Sequence, residues 1–369
     1  MRIGYVGLGW AVRAFHLPAL KSLAGHAAVG GADADPERRA WWSETTGTPA
    51  YSSLSELIDR AAPDVVVVAT PPASHAELCL EALAAGAHVF CEKPFASTAA
   101  EADEVLAAAA AAGRRVAVNH EFREKPIFAA LRERVGSPEA GRLVFCQIWQ
   151  LMDLAPWDEP VPWRAAMPNR TLFEGGVHLV DLMVQFFGEL PEAVYARSSS
   201  GLEAGRQADA ISLALFEFSQ GRLAQLTIDR LCPAATRYVE VRLDCERESL
   251  RASHGGRANI RVGAKRAQRP GVRVDFGVGG VAWAERGSSR VKLARDPRNP
   301  AVYGTARLSE RVFAAFAANV EPPSSGREAR DVLAVIEAAY RSAATGERVE
   351  LRWDDDRARR SEASSIASK

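Results

Sequence analysis

Two short stretches carry the residues with the greatest capacity for chemistry. In the first, Cys91-Glu92-Lys93-Pro94-Phe95 closes the apolar run Gly86–Phe90. A lysine delivered by the end of a buried strand can hydrogen-bond a reacting oxygen and stabilise negative charge that develops on it. The proline behind it fixes the turn, removes one N–H and permits a cis peptide at low cost. In the second, Thr171-Leu-Phe-Glu-Gly-Gly-Val-His-Leu-Val-Asp-Leu182, Glu174 lies four residues before His178 and Asp181 three residues after it. On a helix the three share one face. An imidazole beside a carboxylate is an oriented proton carrier that works near neutral pH. Read alone, the segment also fits a core histidine satisfied by a helix carboxylate. Glu174 and His178 have the spacing of a metal pair, but no third ligand is evident, so no metal is expected.

A third set of candidates sits where strands end. Gly7-Leu8-Gly9 stops the first apolar run and opens a helix through Trp10 and Ala11. Such a turn lets a pyrophosphate approach helix N–H groups, although Val12 occupies the place of a third glycine. Asp33 follows about 20 residues later, where a carboxylate meets both hydroxyls of an adenosine ribose and repels a 2′-phosphate. Asp35, immediately before Pro36, is the better helix cap, which leaves Asp33 for the ribose. Arg38 and Arg39 are the residues that could instead meet a 2′-phosphate. Thr70-Pro71-Pro72 ends a run of four valines, Ser74 can cap the next helix and His75 enters it. Glu92 and Asn119 end two further strands, and Arg123 follows close enough to line a substrate cleft. Ligands of open α/β sheets bind at the carboxyl ends of strands, so these ends point at one crevice.

The elements that must hold these residues come in two styles. Through about residue 121, strands alternate with helices, which implies βαβ units and a parallel sheet. After Phe122 strands follow one another with turn signals between them, as in a mostly antiparallel sheet. Helical periodicity returns from Thr305. The expected division is 1–121, 122–354 and a polar tail, 355–369. Lys+Arg and Asp+Glu balance at 46 each, so no global field selects nucleic acid or an anionic membrane. Between Gly255 and Pro300 eleven Lys/Arg stand against three acids, and this stretch reads as a solvated, glycine-broken insertion. Five scattered cysteines without a C-x-x-C pattern suggest reduced thiols and a cytoplasmic protein. No apolar run reaches the length of a membrane span, and the first residues do not read as a signal peptide.

These residues resemble the Gfo/Idh/MocA family of nicotinamide-dependent oxidoreductases. The resemblance runs through "IGYVGLG…FHLPAL", "ATPPASHAELCLEALAAGAHVFCEKPFA", "PWR", "EGGVHLVDL" and "VIEAAYRSAATGERVEL". It implies an α/β chain: an N-terminal Rossmann domain with a parallel sheet, and a C-terminal α/β domain with an open, predominantly antiparallel sheet. The NAD cofactor then lies in the cleft between them, with Gly7, Gly9, Trp10, Ala11, Asp33, Thr70, Pro71, His75, Glu92, Lys93 and Asn119 around it, and Trp163 and Arg164 approaching its nicotinamide end. Lys93 faces the substrate oxygen and His178 is the proton donor or acceptor. The acid four residues before that histidine is most often aspartate; here it is Glu174, and Asn169–Phe173 replace a glycine run. The implied substrate, bound by Lys93, Arg123, Glu174 and His178, is a sugar, cyclitol or related polyol. The implied reaction is a secondary alcohol to ketone conversion, with NAD expected over NADP. Two other readings stay open: a redox-neutral enzyme (epimerase, lyase or glycosidase) with tightly bound NAD, and a non-catalytic NAD-binding regulator. Apolar residues on both faces of Ile211–Phe218 and Leu223–Leu231, with no nearby helical sequence to cover the second face, predict a homodimer or homotetramer.

Overall fold

A computed structural model of the chain describes residues 1–154, 161–165, 167, 169–201, 208–233, 237–255, 257–262, 272–277 and 279–353. The chain forms two compact units. The first comprises Met1–Lys125 with Asn299–Glu337, and the second Pro126–Arg298 with the chain from Ala338 onward.

In the first unit, strands β1 (Arg2–Val6), β2 (Ala27–Ala32), β3 (Ala50–Tyr51), β4 (Val65–Val68), β5 (His88–Cys91) and β6 (Val116–Val118) form one parallel sheet in the order β3-β2-β1-β4-β5-β6. All residues of β4 and β5 are buried, as a sheet covered on both faces requires. Asp35, Ser53 and Thr98 each accept a backbone N–H in the first turn of a helix, satisfying donors the helix itself leaves unpaired. Ser74 does not cap its helix as expected. A short 3₁₀ turn, Pro72–Ser74, leads straight into helix His75–Ala84, and Ser74 Oγ donates instead to Thr70 Oγ1 and Pro71 O.

The unit boundary is not linear. Helix Pro300–Ala317 buries Leu308, Val312, Phe313 and Phe316 in one cluster with Ile3, Tyr5, Val65, Val67 and Phe90. Ser324 Oγ donates to Val118 O, and Ala99 N to Glu337 Oε1. Residues 299–337 therefore pack with the N-terminal sheet, whereas a linear reading placed them with 122–354. Helical periodicity demands a surface for the apolar stripe but does not say which one.

In the second unit, β7 (Leu143–Leu151), β8 (Ala193–Ser199), β9 (Ile211–Phe218), β10 (Arg222–Asp229), β11 (Val239–Cys245), β12 (Ser249–His254), β13 (Arg257–Val262), β14 (Val272–Gly277), β15 (Val281–Arg286), β16 (Ser289–Arg295) and β17 (Val349–Glu350) follow in sequence. Nine of them make a sheet ordered β16-β15-β12-β11-β7-β10-β9-β8-β17, antiparallel except between β7 and β10. β13 and β14 pair as a separate antiparallel ribbon within the basic stretch; residues 256, 263–271 and 278 there lie outside the described residues, as does the tail from 354. On one face, Ile148, Phe216, Phe218, Leu226, Ile228 and Leu243 are buried, and Phe187 of helix Val177–Phe187 stacks on Phe218 at 3.8 Å. On the other face Tyr195, Leu213, Leu215, Leu223 and Trp149 remain 39–46% exposed. Among the described residues no helix is long and apolar enough to cross a membrane, and all five cysteines are free.

Candidate active site

In the first unit the site grows from the Gly7-Leu8-Gly9 turn. Gly7 has φ +86°, and a Cβ there would stand 2.6 Å from the Ala69 carbonyl carbon and Thr70 N. Glycine is thus required where the ends of β1 and β4 touch. At Gly9 an added Cβ would meet only Arg38 Nη1, at 3.8 Å, so the turn is open there. Trp10 is exposed and packs edge-on against Phe15. A π-helical turn, Val12–His16, replaces the regular first turn, with Val12 and His16 buried beneath it.

Asp33 is not left free. Its Oδ2 accepts from Leu8 N at 2.8 Å, its Oδ1 accepts from Asp35 N at 2.9 Å, and Arg38 Nη1 stands 3.4 Å from Oδ2. The carboxylate holds the glycine turn in place at the end of β2, while Asp35 caps the next helix as its place before Pro36 predicts. Arg39 Nη1 donates to Asp33 O and Ala34 O, so it too serves the turn.

His75 lies deep in the same corner. It is fully buried, with Nε2 2.8 Å from Thr70 O and Nδ1 2.8 Å from Pro94 O, across the cis Lys93–Pro94 peptide. Burial lowers its pKa, against the upward pull of the two carbonyls. A neutral ring has one N–H and donates to one of these carbonyls at a time; lying between them, His75 links the Thr70-Pro71 turn to the one that carries Lys93.

Glu92 is the polar centre of this unit. Its Oε1 lies 2.7 Å from His16 Nε2 and accepts from Asn119 Nδ2 at 2.8 Å, and its Oε2 accepts from Lys93 N at 3.2 Å. Burial disfavours its charge, but His16, the Lys93 ammonium and Asn119 outweigh burial and hold the pKa down at about 2. Asn119 Oδ1 is buried with no hydrogen-bond partner among the described residues. Lys93 is half-buried at the end of β5. Arg123 is buried, its Nη1 3.0 Å from Glu328 Oε2, so part of its bonding capacity is used within this unit.

In the second unit, His178 and Asp181 are buried on helix Val177–Phe187. Glu174 lies in a preceding π-helical turn, Thr171–Gly176, so the single α-helical face expected for all three is interrupted. π turns widen a helix locally and often mark functional sites. Asp209 frames the start of this turn: its Oδ1 accepts from Arg170 N and Thr171 N, and its Oδ2 from Tyr340 OH and Ser212 Oγ. The Glu174 carboxylate faces guanidinium groups. Arg164 Nε is 3.0 Å from Oε1; Arg230 Nη1 and Arg170 Nε are 3.5 and 3.8 Å from Oε2. Arg164 also lies over the Trp163 ring at 5.1 Å, both in the short turn Pro162–Ala165. Gly175 allows Gln150 to approach: a Cβ at 175 would stand 2.9 Å from Gln150 Oε1.

Two family models divide the chain between them. An oxidoreductase family with an NAD-binding Rossmann fold matches residues 1–120, and the C-terminal domain of the same GFO/IDH/MocA family matches residues 128–251. The chain belongs to the Gfo/Idh/MocA family. As a member it is an NAD(P)-dependent oxidoreductase. It is 27% identical to 1,5-anhydro-D-fructose reductase of Ensifer adhaerens over 95% of this chain and 98% of that one. It is 34% identical to inositol 2-dehydrogenase of Leifsonia xyli subsp. xyli over a shorter stretch, 39% of this chain and 41% of the relative. An oxidoreductase from Agrobacterium radiobacter, solved with NAD⁺, L-tartaric acid and magnesium, shares the fold with a TM-score of 0.80 at 18% identity, over 95% of this chain and 98% of that one. Within the family frame, sequence reasoning missed Gln150, Arg170 and Arg230. A local signal existed for Arg170, four residues before Glu174, and for Arg230, a cation at the end of an apolar strand; Gln150 gave none.

Proposed function

We propose that this oxidoreductase interconverts a secondary alcohol and a ketone on a sugar, cyclitol or related polyol, with Lys93 and His178 at the reacting oxygen. The observation that carries the reading is the anchoring of Lys93: its backbone is bonded to a buried, ionised Glu92, and the following proline to His75, at the carboxyl end of a parallel strand. The residues present fit NAD. The glycine turn is open at Gly9, Asp33 is fixed beside it, and Asn119 offers an unused buried acceptor. Gly7, Gly9, Trp10, Ala11, Asp33, Thr70, Pro71 and Asn119 would hold the cofactor, with Trp163 and Arg164 toward its nicotinamide end. When bound, NAD supplies the hydride acceptor.

In oxidation, neutral His178 takes the hydroxyl proton; in reduction the imidazolium returns it. Lys93 donates to the same oxygen and stabilises the negative charge that develops there. Glu174 orients the imidazole or accepts from a neighbouring substrate hydroxyl. The names of the full-length and partial relatives, a reductase of an anhydro-sugar and a dehydrogenase of inositol, support a polyhydroxylated substrate. We also propose that the exposed face of the nine-stranded sheet meets a second copy of the chain.

A panel of sugars and cyclitols, followed by NADH absorbance, tests the reaction. Stoichiometric NADH formation with one substrate is expected. Conversion of a substrate with no net NADH would replace this reading with a redox-neutral one, and NAD binding with no conversion would make the protein a regulator.

A further inference from the structure

We propose that the substrate is anionic, a sugar or cyclitol acid whose carboxylate is received by Arg230 and Arg164 beside Glu174. The proposal takes its place in the reaction from the reading of His178 above; as a binding site it stands on the second unit alone.

The sharing of Glu174 between arginines is the first observation. Arg230 is 3% exposed, and Glu174 is the one carboxylate paired with it among the described residues. Arg164 likewise pairs with Glu174, its other partner being the Trp163 ring. Among the described residues these two guanidinium groups thus share one carboxylate, and neither is paired with a second one. Asp209, the neighbouring acid, has both oxygens occupied by Arg170 N, Thr171 N, Tyr340 OH and Ser212 Oγ. A buried guanidinium that shares its only carboxylate is under-satisfied, and an anion supplies the acceptor it lacks.

The second observation is independent of charge. Arg230 Nε is buried and has no hydrogen-bond partner among the described residues, and both amide atoms of Gln150 are in the same state. Gln150 is fully buried and lies against Gly175, next to Glu174 in the chain. An unused guanidinium N–H matches a carboxylate oxygen, and an unused amide, donor and acceptor together, matches a sugar hydroxyl. A neutral polyol would satisfy Gln150, whereas the guanidinium N–H bonds a charged oxygen about twice as strongly as a neutral one. Of the anions that answer a guanidinium, a carboxylate at −1 costs less to bury than a phosphate monoester at about −1.5 to −2 near neutral pH.

The test measures binding rather than turnover. D-glucuronate, D-galacturonate, the neutral aldoses D-glucose and D-galactose, and glucose 6-phosphate are titrated calorimetrically into the NADH-loaded protein. A uronate is expected to bind tighter than its neutral counterpart by on the order of 10²-fold, the size of a buried charge contact, and tighter than the phosphate. Arg230→Gln should abolish the acid preference while leaving affinity for the neutral sugar within a few-fold, and Arg230→Lys should restore part of it. Equal affinity for acids and neutral sugars, or an equal loss for both in Arg230→Gln, would overturn the proposal; a preference for the phosphate would overturn the carboxylate. If Arg230→Gln does not fold, the acid-to-neutral ratio of the wild type decides. Uronate binding through Arg230 without any NADH formed from NAD⁺ would instead remove the redox reading and leave the anion site standing.

Discussion

Glu92 and Glu174 are both carboxylates withdrawn from water, and their surroundings differ in kind. Glu92 receives a histidine ring, an asparagine amide and a backbone N–H, with the Lys93 charge close by. Glu174 receives guanidinium groups from three different parts of the chain. A carboxylate surrounded by donors matched to its lone pairs completes a scaffold. A carboxylate shared among several cations leaves those cations partly unanswered, which suits a place where a ligand arrives. The first unit has spent its buried acid on holding a lysine still; the second has used its acid to gather arginines.

The largest expected effect concerns Lys93 and His178, the two residues proposed to meet the reacting oxygen. Lys93→Ala and His178→Ala should each lower kcat by about 10²–10⁴-fold, while fluorescence titration shows NADH still bound. Near-normal turnover in His178→Ala would remove the histidine from the mechanism.

Stability should separate the two acids next. Glu92 has its folded pKa depressed from 4.5 to about 2, so its contribution is fully present above the unfolded value and is lost as pH falls through the folded one. That contribution is about 3 kcal/mol. Comparing urea unfolding of the wild type and Glu92→Gln, the difference should be present at pH 6 and shrink between roughly pH 4.5 and 2. Glu174→Gln should disturb turnover more than unfolding. If Glu174→Gln proved the more destabilising of the pair, the contrast between scaffold and site would be broken.

Asp33→Ser should be milder. Because the carboxylate supports Leu8 N and is proposed to repel a 2′-phosphate, kcat/KM with NAD should drop by about tenfold, the size of one charged hydrogen bond, and the NAD/NADP ratio should fall. A wild type that prefers NADP would give Arg38 the 2′-phosphate and overturn the role proposed for Asp33.

The smallest effect on turnover is expected from the exposed sheet face. Sedimentation of the wild type at low micromolar concentration should show a species larger than the 39.8 kDa chain, and Leu213→Lys with Leu215→Lys should shift it toward the monomer. A wild type that sediments solely as the monomer would mean that this face stays in water.

What the sequence determined by itself was local. Four consecutive valines and the glycine-rich turn specify a strand buried on both faces and a tight strand-to-helix corner, because side-chain period and φ > 0 are properties of adjacent residues. The same is true of Asp35 before Pro36, and of Lys93 before Pro94. Helical spacing around His178 was legible too, but not the π turn that sets Glu174 off from it, since the turn depends on how Asp209 and Tyr340 hold its start. The tertiary structure alone decided the rest. It placed helix Pro300–Ala317 against the N-terminal sheet, drew Asp33 onto Leu8 N, and brought Arg230 to a carboxylate 56 residues earlier. Burial and charge pairing act through space. A sequence shows that an apolar stripe or a cation needs a partner, and only folding supplies which one.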